Sequence, residues 1–284
     1  MNLKFGFELI KTTIANWNDD YAPSMGAALS YYTVFSMAPL LIIAIAIAAV
    51  VFDQQTAQQQ LLDQIGALIG DEGAHAIEAM LQNAQKPKQG AFASVLSVVT
   101  LVLGATGVFS ELETDLNRIW KVQGPETQGV WHLLRARLLS LGMVLAIGFL
   151  LLVSLVISAG LAAWGKYWSG WFFGIEALLQ AANFAVSLLV ITVLFALMYK
   201  ILPSVKIAWR HVWLGAIVTA LLFAIGKFLI GLYIGKSSIA SSYGAAGALV
   251  VLLVWVYFSA QIFLLGAEFT RAYASARSPR KAPA

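Results

Sequence analysis

AAGALVVLLVWVYFSAQIFLLGA, residues 245–267, runs for 23 positions without a charged side chain. A helix of that length rises about 35 Å at 1.5 Å per residue, enough to cross a hydrocarbon core of about 30 Å. Its apolar residues show no period of two, so a spanning helix fits and a barrel strand does not. Five further apolar runs precede it, at about 24–52, 91–109, 138–164, 176–201 and 212–234. With 60% hydrophobic and 11% charged residues among 284, the chain is composed for lipid as its solvent. The fold expected is all-α: a single polytopic membrane domain, 1–284, of six transmembrane helices. The first run is much longer than the apolar core of a secretory signal, roughly 7–15 residues, so no cleavage is expected.

Lys and Arg alternate between the gaps. The arm 1–23 (Lys4, Lys11), the second gap (Arg118, Lys121, Arg135, Arg137), the fourth gap (Lys200, Lys206, Arg210) and the tail 268–284 (Arg271, Arg277, Arg280, Lys281) share thirteen of them. The opposite side holds four: Lys86, Lys88, Lys166 and Lys236. The positive-inside bias then places both termini in the cytoplasm. The formal net charge of +4 reads as topology and contact with anionic headgroups rather than as a nucleic-acid surface. Trp164, Tyr167, Trp168 and Trp171 mark a headgroup belt at an outer gap. The chain has no cysteine, which excludes disulfides, thiolate metal sites and cysteine nucleophiles.

Two gaps carry helices of their own. Across 53–90, Leu61, Leu62, Ile65, Leu68 and Ile69, then Ala76, Ile77, Met80 and Leu81, fall at helical spacing. Gly70 to Gly73 divides them, and Asp71 and Glu72 suit the positive start of a second helix. An extracytoplasmic helical hairpin outside the membrane is expected, as a bundle cap or as a substrate-binding cap. In the second gap Leu112, Leu116, Ile119 and Trp120 share one side of a helix, with Glu111, Glu113, Asp115, Asn117 and Arg118 around the rest. Ser110 and Glu113 have capping-box spacing, so a new helix turning off the second span is expected there. Residues 130–139 and the arm from Phe5 to Trp17 read as amphipathic interfacial helices.

Four blocks, AALSYYTVFSMAPLL (Ala27 to Leu41), GATGVFSELETDLNRIW (Gly104 to Trp120), YKILP (Tyr199 to Pro203) and SSYGAAGALVVLLVWVYFSAQIFLLGAE (Ser241 to Glu268), stand in that order. Together they resemble the YihY/BrkB membrane family, once labelled ribonuclease BN. The resemblance covers nearly the whole chain and implies a six-helix protein of the bacterial inner membrane. It carries fold and location more than mechanism.

A nuclease does not suit the residues. Metal-dependent phosphodiester cleavage needs clustered ligands, whereas His75, His132 and His211 are scattered over three gaps. Glu111, Glu113 and Asp115 are spaced by two, which turns neighbours apart on a helix. With no Walker loop, Ser-His-Asp order or zinc signature, no catalytic residue, metal or cofactor is assigned and no enzyme is expected.

What remains are polar groups that lipid makes costly. Lys227 lies within the fifth run, where a charge near the centre costs about 2.5–3.5 kcal/mol. It either faces a polar cavity with Asn183 or Tyr257, meeting an anionic group, or snorkels to the headgroups. Pro39 with Tyr31 and Tyr32 before it forms either a broken, site-bearing helix or a structural kink. Gln261 is interhelical glue or ligand. Glu176 and Glu268 are the span-end carboxylates available for ion linkage, and Glu111, Asp115, Asn117, Arg118 and Trp120 compose an inner-face motif. Gly231 with Gly235, and Gly244 with Ala248, read as close-packing pairs. No inverted repeat is visible. The leading expectation is a transporter or translocator of a solute or amphiphile, such as an anionic lipid or envelope precursor. The alternative is a non-transporting protein that organises envelope partners. Membrane lipids are the expected partners and nucleic acid is not; homo-oligomers are left open.

Overall fold

The computed structural model describes residues 3–49, 53–69, 71–84, 107–122, 175–236 and 247–277, together with 142, 149–150 and 153. The described elements are helices: α1 (Leu3–Asp19), α2 (Ala22–Ala48), α3 (Gln54–Ile69), α4 (Asp71–Ala84), α5 (107–119), α6 (Ile175–Ile201), α7 (Trp209–Lys236) and α8 (Gly247–Arg277). No strand occurs among the described residues. Among the described residues four segments are long and apolar enough to cross a membrane: Ala22–Ala46, Ala181–Ile201, Trp209–Ile234 and Leu249–Arg277. The predicted spans at 91–109 and 138–164, the belt aromatics and the 130–139 stretch lie almost wholly outside the described residues.

The apolar runs and the helices do not end together. Expected to close near residue 267, the last helix continues to Arg277, with Ala272 and Ala274 buried. Burial of one face holds it helical after its apolar run has ended. Pro39 does not break α2, which runs as one helix from Ala22 to Ala48. Ser110 is not a cap. It lies inside α5, where its carbonyl accepts a hydrogen bond from the Thr114 hydroxyl at 2.9 Å.

α5 ends in a Schellman motif: Val122 N–H donates to the Asn117 carbonyl and Lys121 N–H to that of Arg118, with Lys121 at φ 53°. Gly107 at its other end faces Ser36 and Tyr32 of α2, while Lys121 reaches Asp20 before α2, so α5 and α2 run antiparallel.

α3 begins on the Asp53 carboxylate, which accepts from the Thr56 N–H at 3.0 Å. α4 begins at Asp71, as the acidic pair suggests. Leu62, Ile77 and Leu81 bury their side chains against Val34 and Ile45 of α2 and Leu252 and Val256 of α8. The α3–α4 pair, expected as a helical hairpin capping the bundle, packs its apolar residues against α2 and α8.

The tightest packing joins α6, α7 and α8. A Cβ added to Gly215 would come within 1.8 Å of Thr270 Oγ1, and one added to Gly266 within 1.9 Å of Thr219 Oγ1. Each helix thus presents a glycine and, four residues on, a threonine to the other's threonine and glycine. Both hydroxyls donate to the carbonyl four residues earlier, at 2.7 Å, and so carry no unmet polarity into the contact. Tyr199 of α6 closes the seam, donating to the Phe263 carbonyl at 2.7 Å and lying 3.0 Å from Thr219 Oγ1. In lipid, where burying apolar area between helices gains little, close approach of this kind holds helices together. Gly231 has nothing within 4 Å of an added Cβ, so it is not the packing contact its spacing suggests.

Candidate functional site

Beside the seam, at the level of Gly266 and Thr270, lies a charged layer. Asp20, in the turn between α1 and α2, is buried and accepts from Lys121 and, at 3.3 Å, from Arg271. Tyr21, at φ 58°, reverses the chain there so that the carboxylate points inward. Glu268 is 0% exposed and stands beside Asp20, Lys121 and Arg271, the last at 3.7 Å. Neither of its carboxylate oxygens has a hydrogen-bond partner.

α5 supplies the adjoining groups. Asn117 holds the α6–α7 loop: its side-chain amide donates to Ser204 Oγ at 3.2 Å and its oxygen accepts from the Ser204 N–H at 2.7 Å. Arg118 lies 5.9 Å over the Tyr21 ring, and Trp120 packs on the core. Asp115 is buried with Oδ2 unpartnered. Burial, then the neighbouring Glu111, push its carboxyl up to about 7 against the opposing pull of Arg118. Burial also raises Glu111. The inner-face motif is therefore a clamp on two turns, with one carboxyl poised near neutrality.

One helix turn from the charged layer a groove of about 590 Å³ opens between α1, α7 and α8. Ile14 and Trp17 form one wall, Leu222, Ile225, Leu229 and Tyr233 another, and Phe258, Gln261, Ile262 and Leu265 the back. Ile225, Leu229, Tyr233 and Phe258 are exposed, so the groove is open sideways. From Leu222 to Tyr233 it is about 16 Å long, near half of a hydrocarbon core of about 30 Å. Gln261, Leu265 and Glu268 follow one face of α8, and Trp17 and Asp20 are three apart, so the charged layer lies about one helix turn beyond the groove's end. Gln261 Nε2 donates to the Ala22 carbonyl at 3.2 Å, and Gly26 leaves room for that side chain. Two buried polar atoms beside the groove have no partner: Trp17 Nε1 and Gln261 Oε1. Each such atom costs about 1–3 kcal/mol where it stays unmet.

The sequence candidates distribute unevenly over this geometry. Gln261 lines the groove, and Glu268 lies beyond its end in the buried charged layer. Lys227 is exposed among Ile225, Phe228 and Leu229 and does not line the groove, which fits the snorkelling alternative. Asn183 is exposed on α6, far in sequence from these walls. Tyr31 and Tyr32 are exposed and meet edge to face at 5.7 Å, and Tyr257 contacts Phe258 at 5.5 Å. Pro39 is half-buried in the unbroken α2. The Glu176 side chain lies outside the described residues. Among the described residues no group of three or more His, Cys, Asp or Glu is placed to hold a metal. Trp17, Asp20 and Arg271 were not singled out by sequence. The i, i+3 pair Glu268–Arg271 at a span end is the signal that points to the charged layer.

The family described as "Virulence factor BrkB" matches residues 13–284. The chain belongs to this family. Among curated relatives of the BrkB-family protein, a "UPF0761 membrane protein" of Alcanivorax borkumensis is 31% identical over 91% of the chain and 58% of its own length. One from Actinobacillus pleuropneumoniae is 28% identical over 92% of the chain and 91% of its length. One from Azotobacter vinelandii is 30% identical over 93% of the chain and 62% of its length. The chain thus spans under two thirds of the first and third and nearly all of the second. The protein is a membrane protein. No solved structure matches it.

Proposed function

We propose that this BrkB-family protein takes an amphiphile sideways from the lipid phase and moves it within or across the bacterial inner membrane, both termini facing the cytoplasm. It does so without covalent chemistry. The observation that carries the reading is the groove of about 590 Å³, open laterally and lined by apolar side chains with Gln261. An acyl chain is compatible with these walls. The uneven share of Lys and Arg, thirteen against four, supports the orientation.

Reconstitution into vesicles carrying headgroup-labelled single-chain and diacyl lipids tests it, with a membrane-impermeant quencher reporting the leaflet. Protein-dependent movement is expected, slowed about tenfold or more by Leu229→Trp, which fills the groove. If vesicles with folded protein move no labelled amphiphile faster than empty ones, the reading fails. Capture of a stable partner without any movement would favour the envelope-organising alternative.

A further inference from the structure

Away from the groove, we propose that the start of α7 and the end of α8 bind an anionic phospholipid, its head on Arg210 and Arg277 and a chain along the exposed face of α7. The site shares no lining residue with the groove and stands apart from the reading given to it.

The cations at this end of the spans lack a counter-charge. From residue 177 to 284 the chain holds a single carboxylate side chain, Glu268, and that one is enclosed beside Asp20 and Arg271. Lys200, Lys206, Arg210 and Arg277 enter no ion pair among the described residues. Arg210 stands in the first turn of α7, which has no acidic residue and where the helix dipole disfavours a cation. An anion from outside the chain answers both deficits.

Contacts gather these cations instead of dispersing them. Arg210 Nε donates to His211 Nε2 at 3.0 Å, and the His211 ring meets Tyr273 edge to face at 5.7 Å. The Arg277 guanidinium stands 5.1 Å over the same Tyr273 ring. Lys200 lies 5.5 Å over Trp209, whose ring is 6.4 Å from that of Trp213.

The surface beside the cations suits a lipid more than a free anion. Trp209 and Trp213 are both exposed, as amphipathic rings at the headgroup level are. Ile217 and Leu221 follow at intervals of four and are exposed too. From Trp209 to Leu221 this stripe is about 18 Å long, from the level of the cations to near the middle of a hydrocarbon core of about 30 Å. A zwitterionic head would bring its own cation into the cluster; an anionic head brings only negative charge.

The test uses the full chain in detergent, with palmitoyl-oleoyl phosphatidylglycerol and palmitoyl-oleoyl phosphatidylcholine as probes and native mass spectrometry as the readout. Phosphatidylglycerol is expected to bind about tenfold or more tightly. Arg277→Gln, at an exposed position, lowers that preference about fivefold, the effect of one cation at an anionic lipid surface. Arg210→Gln with Arg277→Gln abolishes it, Arg210→Lys retains it, and Leu229→Trp in the groove leaves it unchanged. Equal binding of the two probes to the wild type overturns the proposal, as does a preference that survives the double substitution or is lost in Leu229→Trp. Displacement of the lipid by an equal concentration of glycerophosphoglycerol, the same head without chains, overturns it as well. Selective binding without movement in vesicles would leave this inference standing and sink the transport reading; movement without this selectivity would do the reverse.

Discussion

Helices α7 and α8 meet twice, and the two meetings differ in what their polar atoms find. At the seam, Gly215 and Gly266 admit Thr270 and Thr219, each hydroxyl is bound to its own helix, and Tyr199 completes the set. One to two turns away Gly226 admits Ile262, α1 joins the two helices along the groove, and Trp17 Nε1 and Gln261 Oε1 are buried without partners. The first arrangement is complete without a ligand. The second leaves two buried polar atoms without a partner beside an open apolar groove. Polar groups in an apolar medium are tolerated when paired and informative when unpaired.

The largest test of the contrast lies at its boundary. Asp20→Ala removes the acceptor that Lys121 and Arg271 share and leaves Arg271 only the more distant Glu268, at 3.7 Å. Losing one partner of a buried charge set costs about 3–5 kcal/mol. A large fall in the midpoint of thermal aggregation in detergent is expected, and a wild-type melt would mean that the layer does not hold the α1–α2 turn.

Asp115 gives the next effect through pH. Its carboxyl is raised to about 7 in the folded protein from an ordinary 3.8, chiefly by burial. Between those values the folded state binds more protons than the unfolded one, so stability falls as pH rises from about 4 to 7 and levels off above. The fall is on the order of 2–4 kcal/mol, given partial screening near the inner face. Melting curves across that window read it, and Asp115→Asn is expected to flatten the dependence. An unchanged slope in the variant assigns the titration elsewhere.

Smaller again is the cost at the seam itself. In Gly266→Ala the new methyl meets Thr219 Oγ1 at 1.9 Å and Tyr199 Oη at 2.6 Å, so the helices must separate. Overpacking of this order costs about 1–3 kcal/mol. The smallest stability effect belongs to the groove: Leu229→Trp replaces an exposed side chain and should change stability by no more than about 0.5 kcal/mol, while blocking the site. Should Leu229→Trp destabilise as strongly as Gly266→Ala, the groove is a structural contact and the comparison fails.

Several features were legible along the chain because they rest on composition and local chemistry. Runs near 176–201 and 212–234 became α6 and α7 almost at their expected ends. Asp71 starts α4. Other readings went astray for a shared reason. Gly231 was judged from spacing, but nothing lies within 4 Å of a Cβ added there. Gly215 and Gly266, which carry the seam, have no apolar contrast around them to set them apart. Ser110 has the right spacing for a cap, yet the chain before it is already helical, and a cap motif cannot reveal that. Glu268 was placed at a span end, whereas it is wholly enclosed because α8 continues past it.

The sequence by itself determined that these helices live in lipid, which segments are long enough to cross it, and on which side positive charge gathers. These follow from the cost of exposing backbone and charge to hydrocarbon, a property of each segment alone. Only the tertiary structure decided which side of each helix is buried, where Asp20 meets Arg271 and Lys121, and that Trp17 and Gln261 share one groove. In water an apolar stripe announces the buried face. In lipid both faces are apolar, so the stripe vanishes and packing alone distinguishes a seam from a site.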